Sequence, residues 1–216
     1  MSINRIKRRQ SGFTLIEIAI VLVIIGLLLG GILKGQELIN SARVKNLAAD
    51  FRNVPVFIYG YQDKFRSLPG DDSAAIEHVG TDTLTPGEGD GDGLIEGEWN
   101  SGTAADESFL FWQHVRLAGL APGPTSLIAG DYAPRNAAGG VIGVQGSAPY
   151  TSMTGTYFIC SGGILGRFAK QLDSQLDDGD TESGSVRVGT STNPVGAALA
   201  LADVDDSTPY IVCMGI

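Results

Sequence analysis

Residues 12–33 read GFTLIEIAIVLVIIGLLLGGIL, and the organisation of the whole chain follows from this stretch. From Phe13 to Leu33 there are 21 residues without proline, and Glu17 is their one charge. At about 1.5 Å of rise per residue, such a helix crosses the roughly 30 Å hydrocarbon core of a bilayer. The arm before it carries Arg5, Lys7, Arg8 and Arg9. Basic flanks stay cytoplasmic, so the arm is expected inside and the bulk of the chain exported. An ordinary secretory signal would have a shorter apolar core closed by a small-residue cleavage site, which this run lacks.

Glu17 is the costly residue. A carboxylate at the centre of a spanning helix costs roughly 2.5–3.5 kcal/mol on insertion scales, so an acid there marks a functional site whose partner has to be named. The apolar run offers no Lys, Arg or His. Cleavage after Gly12 would give Phe13 a new α-amino group, and that cation on a neighbouring copy would neutralise Glu17 on assembly.

Gly12, Phe13, Thr14, Leu15, Ile16 and Glu17 lie between a short basic leader and an unbroken apolar run. Together they resemble the class III signal of type IV pilins and type II secretion pseudopilins. The resemblance implies cleavage between Gly12 and Phe13 by prepilin peptidase, N-methylation of Phe13 by the same enzyme, and a register-setting role for Glu17 in assembly. Glu17 also argues against the tip type of pseudopilin, which usually lacks it. The implied partners are further copies of the chain, other pilin-like subunits, the peptidase, an inner-membrane assembly platform and, before assembly, the membrane. The implied places are the bacterial inner membrane, then an extracellular filament or a periplasmic pseudopilus.

The expected function is that of a structural subunit of a type IV pilus-like filament. Two alternatives stay open. One is a pseudopilin of a type II secretion system, which shares all the N-terminal chemistry. The other is an exported binding module held by an uncleaved signal anchor.

The 216 residues leave room for one exported domain large enough to bury a core. We divide the chain into a leader at 1–12, a membrane or filament-core helix at 13–33, an amphipathic continuation at 34–67 and a globular domain at 68–216. In the continuation Leu38, Ala42, Leu47, Phe51, Val54, Ile58, Tyr61 and Phe65 recur mostly three or four apart. One helix of roughly 55 residues, about 80 Å long, is expected. Gly26 with Gly30, and Gly31 with Gly35, make two small-xxx-small spacings that favour close helix approach. Pro55 is expected to kink the exported half.

Leu68, Pro69 and Gly70 should end that helix and open a loop to about residue 102. Within it Glu88, Asp90, Asp92 and Gly93 fall at positions 1, 3, 5 and 6 of a calcium-loop template, with Glu96 at position 9. Trp99 at position 12 breaks the pattern, so the loop is not an EF-hand. Glu88, Asp90, Asp92 and Glu96 remain the candidate calcium ligands, with Asp71 and Asp72 joining them if the fold brings them near. A second candidate group is Asp173, Asp177, Asp178 and Asp180.

Beyond the loop the pattern predicts a helix at 104–119, capped by Thr103 or Asp106 and closed by Gly119, and another at 164–176. Strands are expected at 127–129, 140–144, 157–160 and 208–213. The fold class is therefore α+β, a long N-terminal helix packed on a small antiparallel sheet. Cys160 and Cys213 are the only cysteines, and pairing is expected on the oxidising side of the membrane. Closing that loop stabilises by roughly 4 kcal/mol in the entropic model. A cysteine pair near the C-terminus is also similar to the disulfide-bounded region of type IV pilins.

Composition narrows the function classes. The net charge is −9. Loss of the leader's four cations leaves 11 Lys plus Arg against 24 Asp plus Glu, or −13. Nucleic acid is not an expected partner of so acidic a surface. The motifs HExxH, GxSxG, CxxC and GxxxxGK[ST] do not occur, and the two histidines, His78 and His114, are far apart in sequence and read as structural. No enzymatic activity is expected.

Overall fold

The computed structural model describes residues 14–80, 86–193 and 195–216. Its first element is α1, Leu15–Phe65, 51 residues long, which runs through Pro55 without a break. The chain forms two compact units, the first ending at Ser41 and the second spanning Ala42–Ile216. In the first unit every large apolar side chain from Leu15 to Leu33 is exposed. By length and composition this part of α1 is apolar enough to cross a membrane, with a mean hydropathy of 2.9 over its best window.

In the second unit α1 buries one face. Val44, Leu47, Ala48, Phe51, Val54, Ile58 and Tyr61 are inside, a spacing of three and four that keeps them on one side of the helix. The buried stripe begins at Val44; Leu38 and Ala42, assigned to that face from sequence, are exposed. It meets a four-stranded antiparallel sheet made of β1 (Ile142–Gln145), β2 (Phe158–Leu165), β3 (Val186–Gly189) and β4 (Pro209–Gly215), in the order β1-β2-β4-β3. The main core joins the α1 stripe to Ile142, Val144, Ile159, Val188 and Val212, and to Phe168 and Leu172 of α4 (Gly166–Leu176). The fold is α+β, as expected.

Strand alternation creates a second core. Ile159 enters the main core, whereas its neighbours Phe158 and Cys160 join Trp99, Tyr150, Met153 and Cys213. Cys160 and Cys213 lie directly opposite on β2 and β4 and form the disulfide, with Cα atoms 4.1 Å apart. The register of β2 shifts between Ser161 and Ile164, where Gly163 takes a left-handed φ of 72°. The outer edge of β3 is covered, because Leu199 N–H donates to the Val188 carbonyl and Val188 N–H donates to that of Thr181.

Several sequence expectations give way. Residues 127–129 are consecutive turns rather than a strand, with Ala129 N–H donating to Ser126 and Tyr132 N–H to Ala129. This segment is tied elsewhere: buried Arg116 donates to the carbonyls of Pro122, Pro124 and Tyr132, which holds the chain against α3 (Glu107–Leu117) and away from the sheet. The loop after α1 contains a short helix, α2 (Ala75–Val79), and β3 was not foreseen. Ile164 and Leu165 end β2 instead of starting α4, because Leu165 is extended and pairs with Pro209. The helix expected at 104–119 is α3, its exit turned by Gly119 at φ 76°. Neither foreseen cap makes a side-chain cap bond; Asp106 instead accepts from Ser101 Oγ.

Candidate functional site

At the start of α1, Thr14 and Glu17 satisfy each other. Glu17 Oε2 accepts from Thr14 N–H at 2.8 Å and from Thr14 Oγ1 at 2.7 Å, and Glu17 N–H donates to Thr14 Oγ1 at 3.3 Å. This is a reciprocal capping box, in which two free ends of the helix backbone find side-chain partners. From sequence, Glu17 lacked a cationic partner in its own chain. A neutral one stands three residues earlier, and the Thr-x-x-Glu spacing was the signal for it. Gly12 and Phe13, the expected processing site, lie outside the described residues. Downstream, a Cβ built on Gly26, Gly30, Gly31 or Gly35 would meet nothing within 4 Å, so these positions form open, side-chain-free surface on the helix.

The acidic loop is organised by Asp71 and Glu107, both buried. Asp71 Oδ1 accepts from Gly91 N–H at 2.6 Å and Asp92 N–H at 3.1 Å, and its Oδ2 from Gly93 N–H at 2.8 Å. Glu107, at the start of α3, accepts from Asp90 N–H at 3.0 Å and Glu96 N–H at 3.1 Å. Two acid groups result. Asp71, Asp90 and Asp92 have carboxylate oxygens within 4.8 Å of one another, and so do Asp90, Glu96 and Glu107.

Of the four expected calcium ligands, Asp90, Asp92 and Glu96 fall in these groups. Glu88 is in neither; its Oε1 accepts from Ile76 N–H. Glu107 was missed, because its role depends on a fold that returns α3 to residues 90 and 96. The like charges of Asp90 and Asp92 push the Glu96 carboxyl up, with small additions from burial and Asp71. Burial pushes Glu107 up against the pull of its two N–H bonds.

The second acidic stretch does something else. Asp173 is buried, its Oδ1 accepts from Gly179 N–H at 2.8 Å, and its Oδ2 has no partner among the described residues. Burial raises its pKa to about 6, opposed by the Gly179 bond and reinforced by Asp177, Asp178 and Asp180. Asp177 accepts from Val186 N–H and Asp178 from Asp180 N–H, which folds the turn into β3. Among the described residues, Asp173 belongs to neither acid group above.

A third cluster uses both histidines. Asp72 Oδ2 accepts from Tyr61 Oη at 2.6 Å and from His78 Nδ1 at 2.7 Å. Burial works against this carboxylate, yet the bonds from Tyr61, His78 and Ala74 outweigh it and hold its pKa below the usual range. His114 is fully buried on α3 and bonds to Gly70 and Gly87.

Comparison with known proteins adds one finding. Residues 7–33 match the family described as the Prokaryotic N-terminal methylation motif. No curated protein matches the chain. The motif covers Lys7, Arg8 and Arg9 of the leader, Gly12, Phe13, Thr14, Glu17 and the apolar run to Leu33, where the capping box and the exposed apolar surface of α1 also lie. Residues 7–33 are therefore the prepilin-type signal of type IV pilins and pseudopilins.

Proposed function

We propose that the chain is a structural, non-enzymatic subunit of a type IV pilus-like filament. Prepilin peptidase cuts between Gly12 and Phe13 and methylates the new N-terminus. The subunit waits in the inner membrane, and assembly then packs the apolar part of α1 among copies of itself and other pilin-like subunits. The observation that carries this proposal is the exposed apolar face of α1 from Leu15 to Leu33, which needs lipid or neighbouring helices to cover it, headed by an acid. The four bare glycines favour close approach of such helices. The disulfide near the C-terminus favours a pilin over a pseudopilin. The Gly-Asp loop, with its two acid groups, is what favours a pseudopilin of a type II secretion system.

Mass spectrometry of fibres sheared from the source cells tests this, reading the N-terminal peptide and the abundance of the chain. An abundant species beginning with methylated Phe13 is the expected result. The same N-terminus confined to the cell envelope would favour a pseudopilus or a minor subunit. An intact 1–12 leader throughout would overturn both and leave a signal-anchored module.

A further inference from the structure

Both segments that frame the acidic loop return to α3 at one side chain. Gly70 N–H donates to His114 Nδ1 at 2.9 Å, and His114 Nε2 lies 2.7 Å from the Gly87 carbonyl oxygen. The first bond decides the second. A ring nitrogen that accepts an N–H carries no proton, so the imidazole is neutral and Nε2–H donates to Gly87. Both glycines pack closely on α3. A Cβ on Gly70, whose φ is 97°, would sit 2.5 Å from the Glu107 carbonyl oxygen, and one on Gly87 would sit 2.4 Å from Leu110 Cδ2. Gln113 holds Gly87 as well, accepting its N–H at 2.9 Å.

We propose that His114 is a proton-operated latch. Neutral, it fastens residues 70 and 87 to α3; protonated, it sets an N–H against the Gly70 N–H and releases the flanking stretches 70–80 and 86–93. The first stretch carries Asp71, whose carboxylate holds Gly91, Asp92 and Gly93 of the second, so release also dissolves the ordered Asp71, Asp90 and Asp92 group.

The groups facing the ring come from every side. From α1, Tyr61 stacks on it with centroids 6.0 Å apart. From the loops, Asp72, itself bonded to Tyr61 and His78, and Glu88 favour the charged form. On α3, Glu107 is engaged by Asp90 and Glu96, and Arg116 points to the carbonyls of 122, 124 and 132. Burial outweighs the carboxylates and holds the His114 pKa below its ordinary value. The latch is thus fully closed above about pH 6.5, the unfolded value, and opens as pH falls through the lower folded value.

Hydrogen exchange on the full chain in detergent micelles reads the latch. Peptides covering 68–80 and 86–93 should lose protection on acidification from pH 8 to 5. After correction for intrinsic exchange, the rate should rise up to about tenfold per pH unit below the folded value, while β2 and β4 peptides stay protected. His114→Asn keeps an acceptor near Nδ1 but does not titrate, so its loop protection should be flat. That variant also separates His114 from Glu107, whose upshifted carboxyl grips the same loop. An unchanged pH dependence in His114→Asn, or flat protection in the native chain, would overturn the proposal. Should the variant not fold, nitrogen NMR of the two histidines in the native chain decides, with His78→Gln giving the assignment. A bare Nδ1 on His114 at pH 8 that gains its proton together with loop exchange supports the latch, and a protonated Nδ1 at pH 8 refutes it.

Discussion

Thr14 and Glu17 close a reciprocal capping box at the head of α1, with the carboxylate accepting both the N–H and the hydroxyl of Thr14. An acid entering a membrane therefore brings two neutral donors with it, and its charge is partly satisfied before any neighbour arrives.

Glu17→Ala should leave cleavage after Gly12 intact and abolish most filament formation, read from sheared-fibre yield beside the processed subunit in the envelope. Thr14→Val should give an intermediate yield, because it removes the hydroxyl but leaves the charge; the cap itself is worth about 1 kcal/mol. Wild-type fibre yield in Glu17→Ala would count against the assembly mechanism.

Tyr61→Phe should destabilise the 42–216 unit by about 1–3 kcal/mol, since buried Asp72 keeps its charge and loses one of its donors. The folded pKa of Asp72 is depressed. Its contribution is therefore present above the unfolded value of about 3.8 and lost as pH falls through the lower folded value. Urea melts of both proteins at pH 7 and pH 3 should show the gap between them narrowing at the acid end.

Asp173→Asn should raise stability at pH 7 to 8, by an amount on the order of 1 kcal/mol. The native carboxyl is raised to about 6 and carries an unpartnered oxygen. Its folded form binds a proton more tightly than the unfolded one, so the wild type gains stability as pH falls from above 6 towards 3.8, and the variant does not. Thermal melts across that range distinguish the two. A variant less stable than wild type at pH 8 would show that the charge is matched by something other than the Gly179 N–H.

Calcium at the 86–96 loop would relieve the repulsion that raises Glu96. Added to metal-free protein, it should raise the melting temperature by several degrees, about 2.7 kcal/mol at a hundredfold excess over Kd. Asp90→Asn combined with Asp92→Asn should erase the gain. Asp71→Asn should lower stability even without the ion, because Asp71 already holds three backbone N–H groups.

What could be read from residues alone was whatever repeats along the chain. The apolar run and the spacing of Leu47, Phe51, Val54 and Ile58 announce one long helix, and strand-like runs around Ile142, Ile159 and Val212 announce a sheet. Four-residue β3 is too short to show a period, and it exists because Asp177 and Leu199 bring it to β4. The Gly-Asp loop was visible as acidic, but its two organisers were not. Asp71 reaches across some twenty residues to Gly91, and Glu107 reaches back from α3, contacts that no local window contains. Thr14 is the opposite case. Its signal, the Thr-x-x-Glu spacing, was local and plain.

The Cys160–Cys213 bond joins the two central strands and encloses α4, the 177–185 turn and β3 in one covalent ring. A protease that nicks this turn, in which Glu182 is exposed, would leave a single molecule of unchanged mass apart from one added water. Its two pieces would part on a gel only after reduction, so the 42–216 unit would keep its C-terminal strand with the backbone severed there.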